Sequence, residues 1–231
     1  MDYLVILLVV AGIGVLDLND NDTGSKGACV RFALVTYSIV LIASVIFFSS
    51  AVRTDVFVVL EPNLNLPITE IRKTHPPYAA FCRRNPGHCE MVGSPIVELV
   101  EELRLILSEV NAAVNTSINY TMSDKSLYDQ EEYWTYPSDG FGDCEDIALE
   151  KRARLFKRGV PRAAMTMAIV QHKSLLISHA VLLVETTSGT YILNGFTNNI
   201  ILWNEAPYNY ETRERVDGTW ERYDQSLWTI E

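Results

Sequence analysis

From Ile96 to Val114 apolar residues recur every third or fourth position (Ile96, Leu99, Val100, Leu103, Ile106, Leu107, Val110, Val114). Glu98, Glu101, Glu102 and Arg104 fill the positions between. That spacing predicts an amphipathic helix whose stripe packs on a core, with Ser94 as N-cap and Pro95 as first residue. A second helix is predicted where Asp143 can cap a run in which Ile147, Ala148, Leu149, Leu155 and Phe156 keep helical spacing until Gly159. Beyond Gly159 the period shortens to two. Residues 165–170, 175–185 and 190–194 read as antiparallel strands, the last two joined at Ser188-Gly189. In the middle strand His179, Val181 and Leu183 share one face, which is expected to pack on the second helix. Helix followed by sheet is an α+β pattern.

The remaining stretches carry weaker signals. Val56, Val58 and Leu60 suggest a short strand, and the connection through Pro62, Pro67, Pro76 and Pro77 is expected to be irregular. Residues 115–141 read as a loop bearing Tyr120, Tyr128, Tyr133, Trp134 and Tyr136. The stretch from 207 to 231 is expected to end in an edge strand, with Trp220 and Trp228 packed on the body.

Twenty uncharged residues, 32–51, follow Arg31 and precede Arg53, a length that spans a bilayer or serves as a long signal sequence. Ser49 and Ala51 suit cleavage after Ala51. The expected organisation is a leader over 1–51, cleaved or retained as an anchor, and one domain over 52–231 exported from the cytoplasm. An earlier apolar stretch, 3–16, is short for a span, which suggests that translation starts near Val30. Were both stretches to span, the domain would face the cytoplasm.

Hydrophobic residues make up 48% of the 231, enough to bury one core, and the net charge is −10, of which residues 1–51 carry −2. An acidic chain with no basic stripe has nothing with which to bind nucleic acid. Cys82 and Cys89 bracket a turn-forming stretch and are expected either to close a disulfide or, with His75 and His88, to bind a metal. Cys144 is left unpaired at the start of the second helix. Free backbone N–H groups there favour a thiolate, whereas Asp143, Glu145 and Asp146 oppose it. Nucleophilic thiol chemistry also needs an imidazole and a group to orient it, and His179 and Asn194 supply these types from adjacent strands. A buried, inert Cys144 is the plainer alternative.

Gly-Asp-Cys-Glu-Asp-Ile-Ala-Leu (142–149), Ser-His-Ala-Val-Leu (178–182), Tyr-Ile-Leu-Asn (191–194), the Tyr-Trp pair at 133–134 and the Phe-Cys…Cys run at 81–89 occur in this order. The set resembles the bacterial transglutaminase-like cysteine proteinases over roughly residues 60–230. The resemblance implies a papain-like core shared with transglutaminases, and a periplasmic thiol protease that cuts a surface adhesin and answers to an inner-membrane receptor. It implies Cys144 as nucleophile, His179 as base, and calcium held by Asp143 and Glu145, with Asp146 a further candidate. The third triad position is usually aspartate in that family, and Asn194 stands there, so the sequence also admits a weakened enzyme or a binding module. Glutamine acyl transfer is open to the same residues. Trp134 is a candidate wall of the cleft.

Overall fold

A computed structural model describes residues 63–121 and 124–231. The expected leader and the strand at 56–60 lie outside the described residues. Among those described, no helix is long and apolar enough to cross a membrane.

Nine strands and four α-helices alternate along the chain: β1 (Ile68–Arg72), α1 (Pro76–Arg84), α2 (Glu101–Ser117), β2 (Asn119–Tyr120), α3 (Asp124–Tyr128), β3 (Phe141–Gly142), α4 (Cys144–Lys157), β4 (Met165–His172), β5 (Ser178–Thr186), β6 (Gly189–Leu193), β7 (Ile201–Leu202), β8 (Tyr208–Glu214) and β9 (Trp220–Tyr223). Seven strands form one antiparallel sheet in the order β1-β9-β8-β4-β5-β6-β7, and β2 pairs with β3 in a separate parallel ladder. The α+β expectation holds.

One face of the sheet carries the helices. Leu107, Val110 and Val114 of α2 and Ile147, Ala148, Leu149 and Leu155 of α4 meet Met165, Met167, Leu182, Val184 and Leu193. Each of the fully buried leucines contributes about 1.5–3 kcal/mol by leaving water. The opposite face packs Val181 and Leu183 with Ala168, Val170, Ile192, Tyr208 and Tyr210 under Leu64. The helix therefore lies against Leu182 and Val184, not the Val181–Leu183 face predicted from alternation. A strand buried on both faces has apolar residues at every position, so periodicity could not say which side the helix covers.

Two starts and one strand differ from the sequence reading. Helix α2 begins at Glu101, not at Pro95, because Val97 is drawn into a parallel bridge with Thr186: its N–H donates to Glu185 O at 3.1 Å and its carbonyl accepts from Thr187 N at 2.9 Å. The proline-rich connection is not irregular. Pro76 and Pro77 occupy the first two positions of α1, where a missing N–H costs no hydrogen bond. Strand β9, holding Trp220, lies inside the sheet between β1 and β8, and β1 forms the edge.

Helix α4 is fixed at both ends and in its middle. Gly159, at φ +90°, closes a Schellman turn in which its N–H reaches Phe156 O at 3.0 Å and Val160 N–H reaches Leu155 O at 3.1 Å. Buried Arg152 pairs with Glu214 of β8 at 2.8 Å and donates to the Tyr78 hydroxyl at 2.8 Å, joining α4 to the sheet and to α1. At the N-terminus Gly142 leaves no room for a side chain: a Cβ would stand 3.0 Å from Cβ of Asp146 and 3.3 Å from Pro137. The first turn of α4 is thus held against the strand that delivers it.

Candidate active site

Cys144 is the first residue of α4, with Asp143 as its extended N-cap. Among the described residues it is the sole free cysteine, since Cys82 and Cys89 form a disulfide. Its sulfur borders a cleft of about 670 Å³ lined also by His179, Ala180, Tyr120, Trp134 and Glu145. The Ala180 N–H of β5 donates to the sulfur, and the Tyr120 hydroxyl hydrogen-bonds it. The thiol donates to Glu145 Oε2 at 3.1 Å. Burial, and then the Glu145 charge, push the thiol well above its ordinary value, while the Ala180 N–H acts in the opposite sense.

His179 opens β5 on the same cleft, opposite Val170 of β4. It is buried, and both ring nitrogens lack hydrogen-bond partners. The ring is held through its face: Phe196 stacks on it with centroids 4.1 Å apart and planes 10° from parallel, and Tyr208 lies 5.8 Å away. Burial, then the charges of Lys151 and His172, lower its pKa to about 3. Thiol and imidazole share one cleft, but both are driven toward their neutral forms and no hydrogen bond joins them.

Asn194 does not orient the imidazole by hydrogen bonding. The β5–β6 register, Leu182 opposite Leu193, carries Asn194 past His179, and Phe196 is the residue that meets the ring. The Asn194 side-chain oxygen accepts from the N–H groups of Phe196 at 2.7 Å and Thr197 at 3.1 Å, so it is occupied in holding the turn that positions Phe196. Its backbone oxygen accepts from Lys151 Nζ at 2.7 Å and from Asn115 Nδ2 at 3.2 Å.

The acids around Cys144 form a denser group than their sequence suggests. Ligand atoms of Asp124, Asp143 and Glu145 all lie within 4.8 Å of one another, and the Asp143 carboxyl touches both of the others. Burial raises all three pKa values, and for Asp143 the Glu145 charge adds to it. Asp143 makes no side-chain capping bond. Its Oδ1, like Oδ1 of Asp124 and Oδ2 of Asp146, is buried without a partner. Asp146 stands outside the three and instead receives the Thr135 N–H at 2.8 Å; burial pushes it up to about 8. A group of partly orphaned carboxylate oxygens fits a hard, oxygen-seeking cation such as calcium.

Trp134 is buried in an aromatic group with Tyr78 (5.3 Å), His75 (5.8 Å) and Trp220 (6.3 Å), and forms a wall of the cleft. His88 meets Tyr136 at 2.5 Å, and the disulfide removes any metal role for Cys82 and Cys89. Sequence reasoning missed Asp124, in a stretch read as loop, and the contact of Tyr120 with the sulfur. Neither has a local signal, because both depend on where the loop folds back.

The family model of the bacterial transglutaminase-like cysteine proteinases (BTLCP) matches residues 70–226, which contain the whole cleft. The chain belongs to this family. As a BTLCP proteinase it is a cysteine peptidase of transglutaminase-like type, and its substrate is a protein. A comparison with curated protein sequences gives no match. Among solved structures, the calcium-bound LapG of Legionella pneumophila aligns at 26% identity and a TM-score of 0.46, covering 55% of this chain and 74% of that one. LapG without a stated ligand gives 26% identity and a TM-score of 0.45 over 52% and 68%, and the EGTA-treated form 26% and 0.46 over 55% and 72%.

Proposed function

We propose that this BTLCP proteinase is an exported or periplasmic endopeptidase that cuts a surface protein, of the adhesin kind, through a thioester on Cys144. The observation that carries the reading is the position of Cys144: a lone free thiol at a helix N-terminus, in a cleft that also holds His179. In this reading His179 takes the thiol proton and the sulfur attacks the scissile carbonyl carbon, whose π pair moves to oxygen. The intermediate collapses with loss of the amine, which receives that proton from His179. Water then attacks the thioester by the same route, releasing the acid and restoring the thiol. The backbone N–H groups at the start of α4 point where the oxyanion forms. Asn194 acts as a positioning residue, holding His179 through Phe196.

Calcium is the cation proposed for Asp124, Asp143 and Glu145. When bound, it supplies positive charge beside the thiol. Engaging Glu145 removes the carboxylate that now receives the thiol proton and raises its pKa, so these residues tie the metal site to the readiness of Cys144. Export is supported by the Cys82–Cys89 disulfide, a bond that persists in oxidising compartments, and by the apolar run at 32–51. Regulation by an inner-membrane receptor, like the adhesin, rests on the family resemblance.

The test is to incubate the protein, with calcium or with a chelator, with surface proteins from cells that lack it, and to sequence the new N-termini. New termini that need calcium and vanish in Cys144→Ala are expected. No cleavage, or cleavage that survives Cys144→Ala, refutes the reading.

A further inference from the structure

Strand β2 brings Tyr120 to the cleft by a route independent of the helix that carries Cys144. Tyr120 pairs with Gly142, two residues before the cysteine. The ladder is closed by Asn119 N to Gly140 O at 2.7 Å and Thr121 N to Gly142 O at 3.0 Å. Gly142 in turn fits against Asp146 and Pro137 with no space for a side chain, so the position of β2 relative to the first turn of α4 is fixed. The Tyr120 ring leans on Phe196 with centroids 5.8 Å apart, and Phe196 is the ring stacked on His179. One aromatic row thus aligns the phenol and the imidazole on the cleft, with the phenol hydroxyl against the sulfur. The ring is 42% exposed, so an incoming substrate can reach it.

A thiol protease needs a donor aimed at the oxygen that becomes negative when sulfur adds to the carbonyl carbon. That oxygen develops one bond away from the carbon joined to sulfur. A hydroxyl already in contact with the sulfur is therefore near the place where the oxyanion appears. Burial, and then the negative charges that Cys144, Asp143 and Glu145 can carry, hold the phenol far above its ordinary value. It stays a donor throughout the working range.

We propose that Tyr120 is a catalytic residue whose hydroxyl donates to the Cys144 sulfur in the free enzyme and to the oxyanion once the carbon–sulfur bond has formed. The phenol keeps its proton in both states. The thiol proton goes to His179 and from there to the leaving group, so Tyr120 changes its hydrogen-bond partner and nothing else. The proposal rests on Cys144 being the nucleophile.

Two probes of the full chain, in calcium, separate the roles. p-Nitrophenyl acetate acylates a thiol through a tetrahedral oxyanion, and iodoacetamide alkylates it by displacing iodide with no oxyanion. Tyr120→Phe keeps the ring on Phe196 and removes only the hydroxyl. It is expected to slow acylation of Cys144 about 100-fold while leaving the alkylation rate at the wild-type value. Equal acylation of variant and wild type overturns the proposal. So does a parallel fall in both rates, which would mean that the hydroxyl serves only the sulfur or the fold. Alkylation of the wild type without any acylation overturns it too. A wild-type Cys144 that neither probe labels refutes the nucleophile reading on which the proposal stands.

Discussion

Replacing Lys151 by methionine is expected to change the pH dependence of stability in a calculable way. Lys151 lies on α4 with no exposed surface and no carboxylate partner; its ammonium donates to the Asn194 carbonyl at 2.7 Å. Burial lowers its pKa from 10.5 to about 7. Above pH 7 the folded protein holds the amine neutral, whereas the unfolded chain keeps it protonated until about pH 10.5. The unfolded state then binds more protons, and stability rises with pH across that window. Each pH unit is worth about 1.4 kcal/mol, so the group adds roughly 3 kcal/mol between pH 7 and pH 9.5. Lys151→Met lacks this gain and leaves the Asn194 oxygen with its second donor, Asn115. His179, which feels the Lys151 charge, titrates at about 3, below the window. Urea unfolding of both proteins at pH 7 and pH 9.5 provides the check. The stability of the methionine variant relative to wild type is expected to be about 3 kcal/mol more favourable at pH 7 than at pH 9.5. The same difference at both values would show that Lys151 never titrates anomalously, and the account of an unpaired buried cation would fall.

Three further outcomes are expected. Asp124→Asn weakens calcium binding about tenfold or more by calorimetry; an unchanged affinity would place the ion elsewhere. Asn194→Ala strips the acceptor from two N–H groups and loosens Phe196 from His179, lowering stability by about 1–3 kcal/mol and slowing Cys144 acylation, whereas a variant with wild-type acylation kinetics would leave Asn194 no positioning role. Removing the Cys82–Cys89 bridge by a double serine substitution lowers stability by about 2–3 kcal/mol for a loop of this length, measured by urea titration; a loss below about 0.5 kcal/mol would contradict that estimate.

What the sequence made legible was whatever is settled over a few residues. Asp143 and Gly159 bound α4 because an N-cap and a left-handed C-terminal glycine are local devices. Ser188-Gly189 marked the β5–β6 turn for the same reason. The reading failed where a distant segment overrode the local preference. Ser94 and Pro95 have good helix-start chemistry, yet Val97 is taken by the hairpin at Thr186, so α2 begins six residues later than Pro95. Cys144 and His179 were legible as residue types on the right elements, and both reach one cleft. Asn194 was misplaced because a role two positions along a ladder depends on register and on where a side chain finds donors. Asp124 and Tyr120 belong to the cleft only because the stretch after α2 folds back on the start of α4.

The face-to-face contact of Phe196 with His179 has a consequence for the proton on the imidazole. A hydrogen bond to one ring nitrogen selects a tautomer by fixing which nitrogen carries hydrogen. Stacking restrains the plane of the ring and is indifferent to its edges, so it makes no such selection. Tautomer choice in the free protein is left open, and the groups that arrive at the ring edge determine it. Substrate binding then includes a protonic step, and exchange of the imidazole proton with solvent slows as the substrate commits the ring to one form.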